Sequence, residues 1–120
     1  MIKKLLAGAV ILGAFSMSAH AADSKGNFIV RGAGLTKCST LINDLQGNGG
    51  DGADARVGYA MGYISGYFTA VNAYAYSGTD VLQGADEKSV YKAVLGWCAK
   101  NPSNTLDDAT ETLLQAVTSK

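Results

Sequence analysis

The 120-residue chain predicts an all-α fold: a small four-helix domain stapled by one disulfide, Cys38–Cys98, after a cleaved signal peptide. Three observations carry that prediction. Lys3 and Lys4 form a basic start, Leu5 to Phe15 an apolar run, and Ala19-His20-Ala21 a small-residue cleavage site, which together read as a secretory leader. The chain has only two cysteines, sixty positions apart, and export delivers them to a compartment where a disulfide forms and persists. Beyond Val30, apolar residues recur at helical spacing over four segments, and no alternating strand pattern appears. Residues 1–21 are therefore assigned to the signal peptide and 22–120 to one helical domain.

After a polar, glycine-rich start, Leu35, Cys38, Ile42 and Leu45 share a helical stripe with Leu41 alongside, predicting a first helix from about Leu35 to Gln46. Gly47-Asn48-Gly49-Gly50-Asp51-Gly52 ends it as a mobile loop. A second helix runs from about Ala53 to Tyr76, with Val57, Met61, Ile64, Phe68 and Val71 as its apolar face. Residues 77–86 form a loop. A third helix, Asp86 to Lys100, carries Val90, Val94 and Trp97, flanked by Tyr91, Leu95 and Cys98, and stops at Asn101-Pro102. A fourth begins after Asn104 or Thr105. There Thr105-Leu106-Asp107-Asp108 approximates a capping box with aspartate in place of glutamate, followed by Leu106, Ala109, Leu113, Ala116 and Val117 at helical spacing.

The mature chain of 99 residues is long enough for one modest core. Losing Lys3 and Lys4 with the leader leaves eight basic against ten acidic residues, a net charge of −2. No basic patch points to nucleic acid, and no second apolar run approaches a membrane span. His20, the one histidine, leaves with the leader. That removes Ser-His-Asp and Cys-His catalysis and histidine metal sites. The cysteines are not a C-x-x-C pair. The disulfide reading competes with free redox thiols, but nothing near either cysteine points to a lowered thiol pKa. Closing a loop of this length stabilises a domain by about 4 kcal/mol in the chain-entropy model.

No catalytic residues, no metal and no cofactor are expected. Asp107 and Asp108 are adjacent, so they point to different sides of a helix, and their place at a helix start explains them. Asp51, Asp54, Asp80 and Asp86 are scattered over loops and helix starts. The glycine loop lacks a Walker lysine and a preceding strand, and 48–54 lacks the glutamate and full ligand set of an EF-hand.

The candidate functional surface lies on the second helix. Gly58, Gly62 and Gly66 recur every four residues, as do Tyr59, Tyr63 and Tyr67. Each interior glycine costs up to about 1 kcal/mol against alanine. Three on one face point to close backbone approach by another helix. The first expectation is tight packing within the domain. The alternative is a homodimer or client contact, for which large, rigid tyrosines are suited.

Cys38-Ser39-Thr40-Leu41-Ile42 opens the first helix, and Trp97-Cys98-Ala99-Lys100-Asn101-Pro102-Ser103-Asn104-Thr105-Leu106 joins the third to the fourth. An aromatic, then Cys, two residues, Asn-Pro and a leucine-led final helix resembles the HdeA/HdeB family of small periplasmic acid-stress chaperones. Gly62-Tyr63-Ile64-Ser65-Gly66 resembles the G-Y-x-S-G segment of secreted relatives of that family. The resemblance implies a periplasmic, non-enzymatic protein that is dimeric near neutral pH and loosens in acid to hold unfolded clients. Its structural bridge would be Cys38–Cys98. Two features set this chain apart from the founding members: a longer segment between the cysteines, and only Lys25 and Lys120 near the ends of the mature chain. The layout also resembles periplasmic immunity proteins that neutralise type VI secretion effectors. They share a leader, a G-Y-x-x-G helix, a late cysteine followed by a proline, and an alanine- and leucine-rich final helix. On that reading the partner is one effector enzyme, bound through the 47–52 or 77–86 loop. Full secretion is the alternative to periplasmic retention.

Overall fold

The computed structural model describes residues 29–119, so the expected signal peptide lies outside the described residues. Among them are four α-helices: α1, Cys38–Leu45; α2, Ala53–Ala70; α3, Glu87–Lys100; and α4, Leu106–Thr118. A 3-10 turn, Gly32–Leu35, precedes α1, and a π turn, Val71–Ala75, extends α2. No strand occurs among the described residues. One isolated antiparallel bridge joins Lys37 to Thr105. The fold is all-α, as the spacing predicts, and Cys38 and Cys98 form the disulfide, with Cα atoms 4.8 Å apart.

α1 starts three residues later than expected because Thr36 and Lys37 are extended, with ψ of 130° and 139°. They are drawn into the chain segment that leads into α4. The Leu106 N–H donates to the Thr36 carbonyl at 2.9 Å, and the Cys38 N–H to the Asn104 carbonyl at 2.8 Å. Ser39 N–H reaches the Pro102 carbonyl at 3.0 Å. The first N–H groups of a helix have no partner within it. Here the Asn-Pro turn supplies carbonyls in place of a side-chain cap.

The expected stripe of α1 holds in its middle only. Cys38 is buried with Leu41 beside it and Ile42 is half-buried, whereas Leu35 is 59 % and Leu45 46 % exposed. In α2 the buried line is Ala60, Ile64 and Phe68, with Val57, Met61 and Val71 only half-buried. In α3 Cys98, not Trp97, completes the buried line from Val90 and Val94, each four residues after the last. Leu106 and Ala109 close the core from α4. α1 packs on α2 and α3, α3 packs on α4, and the 3-10 turn sits against α2 and α4. Leu41, Ile64, Val94 and Leu106 are essentially fully buried. Each such side chain stabilises the fold by roughly 1.5–3 kcal/mol.

The helix ends follow local chemistry. The Asp86 carboxylate caps α3 by accepting the Ser89 N–H at 2.9 Å. Thr105 and Asp108 form the expected capping box at α4: the Thr105 N–H donates to Asp108 at 2.9 Å, and the Asp108 N–H donates back to the Thr105 hydroxyl at 3.3 Å. The π turn ends where Ser77 and Gly78 take left-handed backbone, with φ of 53° and 81°.

Candidate protein-contact site on helix α2

The glycines of α2 do not pack inside the domain. A methyl group built on Gly58, Gly62 or Gly66 meets nothing within 4 Å. Among the described residues, the expectation of tight internal packing is therefore overturned, and the three positions form an exposed strip without side chains. The tyrosine line divides. Tyr59 is 71 % exposed, while Tyr63 and Tyr67 are half-buried against α4. The six residues expected to form one contact face thus split into an exposed group (Gly58, Tyr59, Gly62 and Gly66) and a packed pair.

Tyr63 is held from two sides. Its hydroxyl donates to Asp107 Oδ1 of α4 at 2.5 Å. Its ring lies on Gly34 of the 3-10 turn, where an added Cβ would stand 2.6 Å from Tyr63 Cζ. Burial, followed by the Asp107 carboxylate, pushes the Tyr63 phenol well above its ordinary pKa. Burial likewise raises that of Tyr67, with Glu111 and Asp107 adding to it. Asp107 is itself buried, and Tyr63 gives its carboxylate a donor inside the fold.

One turn before Tyr59, Arg56 organises the glycine loop. Its Nε donates to Asp44 Oδ2 at 2.8 Å and its Nη2 to Asp44 Oδ1 at 2.7 Å. Nη2 also reaches the Gly49 carbonyl at 2.9 Å, and Nη1 the Asp51 carbonyl at 3.2 Å. The loop expected to be mobile is thus tied to α2 through one guanidinium. Its glycines are explained too. Gly47, Gly50 and Gly52 have φ of 82°, 70° and 79°, and a Cβ on Gly49 would collide with the Asp44 carboxylate. The Arg56 hydrogen bonds hold the Asp44 carboxyl below the usual carboxylate range.

A second loop is held by a second carboxylate. Asp80 accepts N–H bonds from Gly84 at 2.7 Å and Leu82 at 3.0 Å, with the Asn72 amide at 3.3 Å. Those bonds, Gly84 first, lower its pKa. The pKa of Asp86 is lowered chiefly by the Ser89 N–H, and that of Asp108 chiefly by the Thr105 N–H.

Between the 3-10 turn and α2 runs an open groove of about 590 Å³. Arg31, Gly32, Ala33 and Thr36 form one wall, and Arg56, Tyr59 and Tyr63 the other. A smaller cavity of about 220 Å³ lies over Ile64, Phe68 and Val90. At its rim the Ser65 and Tyr91 hydroxyls are 2.6 Å apart, and Glu87 stands 3.4 Å from each. Among the described residues, no three His, Cys, Asp or Glu side chains gather as a metal site. No helix there is long and apolar enough to cross a membrane.

The periodicity missed Asp44, Arg56 and Asp107 as organisers of this face, and Arg31 as a wall of its groove. One signal was present: Asp44 follows Leu41 by three residues, on the buried face of α1, and a buried acid demands a cation or donor. No protein-family model, curated protein or solved structure matches the chain.

Proposed function

We propose that the protein is an exported, non-enzymatic holdase of the HdeA/HdeB type, working in the periplasm during acid stress. The observation that supports it most is the placement of its carboxylates. Asp44 and Asp80 each hold a loop, and Asp86 and Asp108 each hold a helix start, all with pKa values lowered in the folded state. A group whose folded pKa is depressed contributes stability that is present above its unfolded value, near 4 for aspartate. That contribution is lost as the pH falls through the folded value. Acid therefore loosens the loops and helix starts together. The mature chain, stripped of carboxylate charge, then carries roughly +9 and repels itself. The disulfide does not titrate in this range, so the opened chain remains tethered between α1 and α3. Tyr63 and Tyr67, now half-buried, join Tyr59 and the bare glycine strip as surface for an unfolded client.

The test is aggregation of a client protein followed by light scattering at about pH 2.5 and through neutralisation, with and without the oxidised mature protein. The expected outcome is suppression near stoichiometric ratios and recovery of soluble client. A protein that stays fully folded at that pH and suppresses nothing sinks the proposal.

A second reading, an immunity protein that neutralises a secreted effector enzyme, is favoured by one observation. The exposed strip and the Arg31–Tyr59 groove are both present in the folded protein, with no loosening required. It predicts tight one-to-one binding to a single enzyme at neutral pH and inhibition of that enzyme.

A further inference from the structure

The groove between the 3-10 turn and α2 has a chemistry of its own. One wall presents the Arg31 guanidinium. Among the described residues the one ion pair is Arg56–Asp44, so Arg31 carries its charge without an acidic partner there. The other wall presents the exposed ring of Tyr59 and the phenol of Tyr63. Arg56 spends four N–H contacts on Asp44, Gly49 and Asp51, which fixes its plane and leaves one Nη1 hydrogen without a partner among them. The groove thus offers an uncompensated cation, a pre-positioned donor and an aromatic face. Guanidinium groups match carboxylates in geometry, and aromatic faces take apolar or planar side chains.

The α2 wall of the groove runs from Arg56 to Tyr63. At 1.5 Å rise per residue that wall is about 10 Å long, the span of roughly three residues of extended chain. A small anion would leave most of that length empty. We propose that the groove binds an acidic peptide segment of a partner protein at neutral pH, its carboxylate on Arg31 and an apolar or aromatic side chain against Tyr59. The site does not rest on acid loosening, because it is complete in the folded protein.

The experiment is an NMR titration of the oxidised mature protein at pH 7 with two capped hexapeptides. One alternates glutamate with a central tyrosine, and the other replaces each glutamate by lysine. The expected result is saturable shifts confined to residues 31–36, Tyr59 and Gly62 for the glutamate peptide, and none for the lysine peptide. Arg31→Ala weakens binding about five-fold, Arg31→Glu weakens it further, and 0.5 M salt mimics Arg31→Ala, as expected for an exposed ion pair. Because Arg31 has no ion pair among the described residues, both variants are expected to keep the wild-type urea midpoint. Equal response to both peptides, shifts scattered over the surface, or an Arg31→Glu variant that binds as well as wild type overturns the proposal. None of these outcomes bears on client protection in acid, so the two proposals fail separately.

Discussion

Helix α1 is held at its two ends by different chemistry. At its start, Cys38 is bonded to Cys98, and backbone N–H groups of Cys38 and Ser39 meet carbonyls of the Asn-Pro turn. The disulfide and these backbone bonds gain or lose no proton between neutral pH and strong acid, although the adjoining start of α4 is capped by the Asp108 carboxylate. At its end, Asp44 holds Arg56, and Arg56 holds the glycine loop. That junction depends on one ionised carboxylate. On the proposed acid response, the covalent end keeps the chain together while the ionic end releases a loop.

The largest expected effect lies at the covalent end. Replacing Cys38 and Cys98 by serine is expected to cost about 4 kcal/mol, read as a lowered urea midpoint. In a domain of ordinary stability, about 5–15 kcal/mol, that leaves the fold marginal. A midpoint unchanged by reduction would show that the backbone bridge alone holds the junction. The next largest effect is Gly34→Ala. Its Cβ would stand 2.6 Å from the Tyr63 ring, so the ring must move off the 3-10 turn. Overpacking of this kind costs about 1–3 kcal/mol, and thermal unfolding measures it.

At the ionic end the expected effect is local. Asp44→Asn keeps the shape but removes the charge that holds Arg56, so amides of 47–52 exchange faster at pH 7 while those of α4 do not. The same variant should respond less to acid in that loop, since the group that titrates is gone. If its pH profile matches wild type, Asp44 is not the acid-sensitive element. The smallest effect has the opposite sign. Gly62→Ala places a methyl where nothing stands within 4 Å and is expected to stabilise the isolated protein by up to about 1 kcal/mol. Destabilisation at micromolar concentration, vanishing on dilution, would instead reveal a partner copy on that strip.

Much of the fold was legible because periodicity and capping are local. The helix count, the α4 capping box and the stop at Asn101-Pro102 all depend on residues within a turn of one another. The buried lines were less legible. Leu35 and Leu45 fit the period of α1, yet both are exposed; Leu35 lies outside the helix because Thr36 and Lys37 are extended and Lys37 bridges Thr105, and Leu45 is the last residue of the helix. Trp97 gave way to Cys98, which continues the four-residue spacing of Val90 and Val94 and carries that line into the disulfide. The candidate face was half legible. The spacing located Gly58, Gly62 and Gly66 on one side of α2, but exposure depends on what the other helices leave uncovered. Arg31 and Arg56 are far apart in sequence, and only the closure of the 3-10 turn onto α2 makes them two walls of one groove.

The most direct test of the two-ended account is amide hydrogen exchange of the oxidised mature protein at pH 7 and about pH 2.5, expressed as protection factors corrected for intrinsic rates. Protection at 47–56 and 80–90 is expected to collapse in acid, while the amides of Cys38 and Ser39 beside the disulfide keep most of theirs. Equal loss at both ends of α1, or no loss at either, would contradict the two-ended account.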